Sequence, residues 1–135
     1  MKSDYAARAV LGLSRHYPDS VALRSKDVAA DLGIPRKFLP QILLELKGRG
    51  IVRSVRGVAG GYLLARPPAE ITLGEVLRAI DGPMFDMPVL SGSDAPPELR
   101  RAWRKLQQSL EATAEAITFQ QLLEESAEKE KMYYI

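Results

Sequence analysis

The sequence predicts a mainly α-helical fold with one small β-hairpin, and three patterns carry this prediction. Apolar residues recur at spacings of three and four over several stretches of ten or more residues, which is typical of amphipathic helices. Two short strand-like runs flank a glycine-rich segment near the middle of the chain, which indicates a hairpin. A later stretch repeats apolar residues in alternating steps of four and three, the pattern of a helix that packs on a partner helix.

The first fifty residues are predicted to form three helices, over 4–17, 25–32 and 35–47. Gly33 is suited to end the second helix, because glycine readily adopts the left-handed conformation found there. Pro40 has no amide hydrogen, so we expect a slight bend near the start of the third helix. The second and third helices, joined by a short turn, have the form of a helix-turn-helix unit.

The hairpin is predicted from two strand-like runs, 51–55 and 62–65. Thr72 and Glu75 then form a capping-box pair at the start of another helix. Because a hairpin directly follows the helix-turn-helix unit, we assign residues 1–82 to a winged helix-turn-helix domain.

The remaining residues are predicted to form a loop, a long helix and a tail. Residues 83–97 are rich in Gly, Pro, Ser and Asp and show little periodicity. Residues 98–123 hold the long helix and a short helix that opens with the capping pair Thr118 and Gln121, and residues 124–135 form a charged C-terminal tail with an apolar end. The apolar seam of the long helix, which we assign to dimerisation, consists of Leu99, Trp103, Leu106, Leu110 and Ile117.

Charge is distributed unevenly along the chain, although its net value is only +2. Residues 1–66 carry twelve Lys and Arg against five Asp and Glu, whereas residues 67–135 carry seven against twelve. A strongly basic half beside an acidic half indicates that the first half meets a polyanion.

Composition excludes several classes of function. The chain contains no cysteine and a single histidine, so disulfides, thiolate nucleophiles and thiolate-bound metal centres are excluded. No nucleophile triad, phosphate-binding loop or metal-ligand cluster is recognisable, and the chain is not predicted to be an enzyme. No apolar run approaches the ~20 residues of a membrane span, and the first residues lack the apolar core of a signal peptide, so we expect a cytoplasmic protein without membrane contact.

A winged helix in the basic half of the chain is predicted to bind double-stranded DNA. The start of its third helix would enter the major groove, where Arg and Gln read guanine and adenine and an apolar ring can contact the thymine methyl group. An arginine at the wing tip would enter the narrow minor groove. The candidate DNA-binding residues are Ser25, Lys26, Arg36, Lys37, Phe38, Gln41, Arg53, Ser54, Arg56 and Gly57.

The segment Ser54–Arg66, with the sequence SVRGVAGGYLLAR, resembles the wing of the Rrf-type winged-helix repressor family. The resemblance extends back to Asp4 and forward to Thr118, and so covers nearly the whole chain. It implies a homodimer, paired through the long helix, that binds an operator with dyad symmetry. Many members of this family hold an iron–sulfur cluster on three cysteines, and since this chain has none we expect no cluster and no other cofactor.

Within the family, the chain is similar to a branch without the cluster that represses genes of cysteine metabolism. The similarity includes the Asp-Gly-Pro segment at 81–83 and the terminal Tyr134 and Ile135. It implies that the C-terminal peptide, which includes Tyr133, docks into the active site of cysteine synthase, and that O-acetylserine releases the complex. Two alternatives stay open: a repressor of the same family that binds a small molecule directly, and a winged-helix module that only binds other proteins.

Overall fold

The computed structural model describes residues 2–17, 24, 27, 32–56, 61–83 and 95–133, with side chains described as far as residue 128. The two described strands pair antiparallel, and the rest of the regular structure is helical, so the predicted mainly α-helical fold with a β-wing is confirmed. In chain order the elements are α1 (Lys2–Ser14), α2 (Leu39–Gly48), β1 (Val52–Val55), β2 (Gly61–Leu64), a 3₁₀ turn (Pro68–Glu70), α3 (Leu73–Asp81), α4 (Pro97–Ala116) and α5 (Phe119–Tyr133).

The core lies between the apolar faces of α1 and α2, with β1, β2, α3 and α5 packed around them. The helical spacing of the apolar residues predicts these faces, because residues three and four apart share one side of a helix. Phe119, at the start of α5, is the largest fully buried side chain among the described residues and joins the same cluster. The buried apolar residues of α1 and α2 are Ala6, Ala9, Val10, Leu13, Leu39, Ile42, Leu43 and Leu46.

The helix α1 ends three residues earlier than the sequence predicts. Ser14 is buried and its hydroxyl donates to the carbonyl of Val10 at 2.6 Å, and the chain then turns. Tyr17 therefore lies beyond the helix and is exposed, whereas helical spacing places it on the inward face.

The helix α2 corresponds to the third predicted helix and begins four residues later than predicted. Residues 36–38 form a turn, which is closed by the Phe38 amide donating to the carbonyl of Pro35 at 3.1 Å. Pro40 thus occupies one of the first two positions of α2, where its missing amide hydrogen costs no helical hydrogen bond. This position removes the reason to expect a bend there.

The capping box predicted at α3 forms only in part. The Thr72 hydroxyl accepts from the Glu75 amide at 3.1 Å, but the Glu75 carboxylate binds the Arg66 guanidinium instead of turning back to Thr72. At the start of α5 both halves of the box are present. The main-chain amide of Gln121 donates to the Thr118 hydroxyl at 3.2 Å, and the main-chain amide of Thr118 donates to the side-chain oxygen of Gln121 at 3.3 Å.

A short backbone joint connects the winged unit to the two C-terminal helices. The Leu73 amide donates to the Ile117 carbonyl at 2.8 Å, and the Phe119 amide donates to the Ile71 carbonyl at 3.1 Å. Ile117 follows the end of α4 in an extended conformation and is half-buried. Ile117 therefore lies beyond the helix on which the sequence places it, and its predicted role in dimerisation stays a prediction.

The charged segment after residue 123 is helical rather than a flexible tail. α5 runs from Phe119 to Tyr133, about 22 Å at 1.5 Å per residue, and the short helix predicted there is less than half as long. Leu122 and Leu123 in its first turns are half-buried, whereas Ala127 and Glu128 further along are exposed. The sequence favours a tail because the charged residues show no apolar period.

Candidate nucleic-acid interface

Two cationic side chains precede α2 on the molecular surface. Arg36 and Lys37 lie in the turn at 36–38 and are exposed, and Gln41 is exposed in the first turn of the helix. The amino end of a helix carries a partial positive charge and favours phosphate groups. These side chains and the helix end together form a positive edge with one amide side chain capable of reading a base.

Phe38 is held at this edge by a stack of charged and aromatic groups. Its ring is stacked on Tyr5 of α1, with centroids 5.8 Å apart and planes inclined by 15°. The Lys37 ammonium lies 5.0 Å from the Phe38 centroid, and the Arg8 guanidinium lies 5.7 Å from the Tyr5 centroid. Although 40% of Phe38 remains exposed, its position is fixed by contact with α1. The helical spacing of Tyr5 indicates only that it faces inward, so the sequence did not reveal this contact.

Gln41 is linked to α1 through Glu45. Gln41 Nε2 donates to Glu45 Oε1 at 3.2 Å, and Lys2 Nζ donates to the same oxygen at 2.8 Å. The hydrogen bond from Lys2 holds the pKa of the Glu45 carboxyl below its ordinary value of 4.5, against the opposing effect of burial. Lys2 and Glu45 are 43 residues apart, so no local sequence pattern connects them.

Leu44 is the most exposed large apolar residue on the outer face of α2. It leaves 59% of its surface exposed, three residues after Gln41 and thus on the same side of the helix. A leucine in this place can contact a thymine methyl group, as an apolar side chain does in the major groove. Leu44 was not among the residues predicted from the sequence, although its spacing of three from Gln41 was a signal for it.

The wing consists of β1 and β2, paired from Val52 with Leu64 to Val55 with Gly61. The three predicted wing residues that the structure describes, Arg53, Ser54 and Arg56, are all exposed. The arrangement therefore presents two cations on a thin projection whose inner end is anchored in the core.

The base of the wing is fixed by Arg66, which follows β2. Arg66 pairs through its guanidinium with both carboxylate oxygens of Glu75 on α3, and it also donates to the carbonyls of Glu70 at 3.1 Å and Gly50 at 3.4 Å. This side chain ties the start of the hairpin to α3. Arg66 could not be assigned this role from the sequence, because its partners lie at three separate positions along the chain.

Several predicted site residues lie outside the described residues. They are Ser25, Lys26 and Gly57 of the DNA-binding set, and Tyr134 and Ile135 of the partner-binding set. Tyr133 is the last residue of α5.

The predicted dimer seam lies on α4 and is open to solvent in the single chain. Leu99, Leu106 and Leu110 leave 43–45% of their surfaces exposed, and Trp103 on the same face is half-buried. Basic residues are concentrated in the first half of the helix, at 100, 101, 104 and 105, and its second half carries Glu111 and Glu115. α4 thus combines an apolar stripe with charges of opposite sign toward its two ends.

The residues of this chain do not fit an iron–sulfur cluster. Such clusters are held chiefly by cysteine thiolates, and the 135 residues contain no cysteine. Among the described residues, no group of three or more His, Asp or Glu side chains is arranged to hold a metal ion. None of the described helices is long and apolar enough to cross a membrane.

Comparison with known proteins identifies relatives over most of the chain. The family model described as Rrf2, iron-dependent transcriptional regulator, matches residues 1–125. A protein of Mycobacterium tuberculosis named as an HTH-type transcriptional regulator is 39% identical over 122 residues, which cover 87% of this chain and 75% of that protein. The HTH-type transcriptional regulator CymR of Bacillus subtilis is 29% identical over 112 residues, 82% of this chain and 80% of CymR.

Solved structures agree with the sequence comparison. The structure of CymR, the global cysteine regulator of B. subtilis, covers 90% of this chain and 92% of its own, with a TM-score of 0.80 and 25% identity. IscR of T. potens covers 99% of this chain and 94% of its own, with a TM-score of 0.81 and 29% identity. These relatives are named as regulators of transcription, which confirms that the chain is not an enzyme. The chain belongs to the Rrf2 family of winged-helix transcriptional regulators.

Proposed function

We propose that the chain is a homodimeric repressor that binds an operator in double-stranded DNA through α2 and the wing. The observation that carries this proposal is the exposed edge formed by Arg36, Lys37 and Gln41, together with a hairpin on which Arg53 and Arg56 are exposed. The helix edge suits the major groove, and the arginines of the wing suit phosphates and the minor groove. Membership of a family of transcriptional regulators supports the same function.

The test of DNA binding uses duplexes selected by the wild-type protein from a randomised pool. Replacing Arg56 with Ala should weaken binding by about 1–3 kcal/mol and lower the dependence of affinity on salt by roughly one counterion. Replacing Gln41 or Arg36 with Ala should relax the base preference at particular positions instead. Failure of the wild type to enrich any sequence, with binding insensitive to salt, would favour a module that only binds proteins.

The dimer is proposed to form through the exposed stripe on α4. Three half-exposed leucines and a tryptophan in one line are an apolar patch that a single soluble chain rarely leaves uncovered. An antiparallel crossing of two α4 helices also brings the basic first half of one near the acidic second half of the other. Leu106→Asp should therefore give monomers in light scattering, whereas the matched variant Gln108→Asp, on a different side of α4, should leave the mass unchanged. A dimer of normal mass for Leu106→Asp would place the interface elsewhere.

The repressor is proposed to work without an iron–sulfur cluster, because no cysteine is present to hold one. Anaerobic incubation with iron and sulfide should leave the purified protein colourless. A stoichiometric brown species that survives gel filtration would contradict this proposal.

The regulated genes are proposed to serve cysteine and sulfur metabolism, and the effector is proposed to be cysteine synthase. The similarity to CymR in sequence and in structure supports the first part. For the second, Ala127 and Glu128 of α5 are exposed, and the helix continues to Tyr133, two residues before the C-terminal Ile135. An active site that grips the carboxylate of an amino-acid substrate can accept a C-terminal carboxylate in the same way.

Deletion of Ile135 separates the possible effectors. The shortened protein should lose binding to purified cysteine synthase and keep its own DNA affinity and dimeric mass, and O-acetylserine should release the wild-type complex. Enzyme binding that survives the deletion would refute docking through the C-terminus. A metabolite that binds directly in titration calorimetry and shifts DNA affinity without the enzyme would favour the small-molecule alternative.

A further inference from the structure

We propose that Glu45 is a positioning residue for base recognition, because it fixes the orientation of the Gln41 amide group. This inference rests on the proposed function, in which Gln41 reads a base from the start of α2. Beyond that function, the inference uses the hydrogen bonds that Lys2 of α1 and Gln41 of α2 both donate to Glu45.

The carboxylate determines which way round the Gln41 amide faces. The two ends of a glutamine amide have nearly the same size, but only the NH₂ end can donate to a carboxylate. Because Gln41 Nε2 donates to Glu45 Oε1 at 3.2 Å, the amide carbonyl must face away from Glu45. One hydrogen of the NH₂ group and the carbonyl oxygen remain available to a ligand.

The donor and the acceptor that the Gln41 amide leaves free match the major-groove edge of adenine. Adenine presents the N7 acceptor beside the N6 donor in the major groove, and glutamine contacts both when its own donor and acceptor are in the right order. A freely rotating amide can instead turn its NH₂ group toward any acceptor, including N7 or O6 of guanine. Holding the amide in one orientation therefore favours adenine and disfavours guanine.

Glu45 uses one oxygen for both of its contacts. Its Oε2 atom is buried and has no hydrogen-bond partner among the described residues, whereas Oε1 accepts from Gln41. Lys2 donates to that same oxygen at 2.8 Å and provides the balancing positive charge. Without Lys2, a carboxylate beside the DNA would repel the phosphates. The side chain of Glu45 is 26% exposed, so the network lies at the edge of the surface that would meet DNA.

The experiment measures discrimination between two duplexes. Selection from a randomised pool with the wild type and with Gln41→Ala identifies the operator position at which Gln41 acts. Affinities are then measured for the selected duplex and for the same duplex with G·C in place of A·T at that position. A good bidentate contact corresponds to a ratio of about 5- to 150-fold.

Glu45→Ala should reduce this ratio at least about threefold, and it should cause no further reduction in a protein that already carries Gln41→Ala. Glu125→Ala is the matched control, because it removes one exposed carboxylate from α5 and should shift both affinities equally. Thermal unfolding of each variant verifies that the protein is folded.

The outcomes distinguish this inference from the proposed function. A ratio that Gln41→Ala reduces and Glu45→Ala leaves unchanged overturns the positioning role alone. A ratio that Glu45→Ala reduces equally with and without Gln41 also overturns it, since the effect would then not pass through Gln41. If Gln41→Ala changes no base preference at any position, the assignment of Gln41 in the proposed function is wrong.

Discussion

Gly74, in the first turn of α3, lies against α4 so closely that an added methyl group must displace something. A Cβ atom built on Gly74 would lie 2.8 Å from Glu115 Oε1, 3.1 Å from Ala114 Cβ and 3.2 Å from the Ala114 carbonyl carbon. The Glu115 carboxylate is bound to Arg78 and to the Thr72 hydroxyl, so moving it weakens those contacts. Ala114 has no flexible side chain, and relieving its contact requires α4 to shift. We therefore predict that Gly74→Ala destabilises the protein.

The magnitude follows from two opposing contributions. Inserting a methyl group into a well-packed contact costs about 1–3 kcal/mol. Alanine is favoured over glycine within a helix by up to about 1 kcal/mol, and less in the first turn. The net loss should be about 1–2 kcal/mol. At an unfolding entropy of about 2.1 cal/mol/K per residue, this corresponds to a fall in Tm of about 4–7 °C for a chain of 135 residues.

Gly48 provides a matched control for the same chemical change. It is the last residue of α2, and a Cβ atom there would meet nothing within 4 Å. Gly48→Ala should therefore raise the Tm by up to about 3 °C, because only the helix preference changes. Both variants are compared with the wild type by calorimetry at one protein concentration. If Gly74→Ala unfolds at or above the wild-type temperature, the close packing of α3 on α4 is not as the structure has it.

Three further predictions concern single residues. Phe119→Ala should destabilise the protein by about 3–5 kcal/mol in urea unfolding, because it removes the largest side chain that is fully buried among the described residues. A loss below about 1 kcal/mol would contradict its place in the core. Gly50→Ala should destabilise the protein by about 1–2 kcal/mol by the same method, because Gly50 has φ of +74°, which is strained for a residue with a Cβ atom. A Cβ atom there meets no neighbour, so the backbone conformation alone causes the loss. Unchanged stability would argue against the left-handed conformation. The lowered pKa of Glu45 means that the Lys2 contact stabilises the fold above about pH 4.5 and is lost as the pH falls through the folded pKa. Wild type and Lys2→Met should therefore differ in stability at pH 7 and converge toward pH 3, and a difference independent of pH would refute this linkage.

The sequence by itself determined the parts of this protein that depend on local periodicity and local turn chemistry. The inward faces of α1 and α2 follow from apolar residues three and four apart, and the hairpin follows from two strand-like runs around glycines. The complete capping box of Thr118 and Gln121 was also predictable, because both partners lie within one turn. The exposed cations of the candidate interface were also predictable, because they lie at the predicted start of the third helix and in the predicted hairpin.

The tertiary structure decided everything that depends on partners distant in sequence. Glu75 is available to complete its capping box, yet Arg66 takes the carboxylate, because a cation from the base of the wing lies beside it. The carboxylate of Glu45 that accepts from Gln41 within α2 also accepts from Lys2 of α1, and this second contact joins residues 43 positions apart. The length of α5 could not be predicted from the sequence, because its charged second half has no apolar period. Its buried first residue, Phe119, packs in the core with α1 and α2. Local spacing determines which residues share a face, and only packing determines which side chain meets that face.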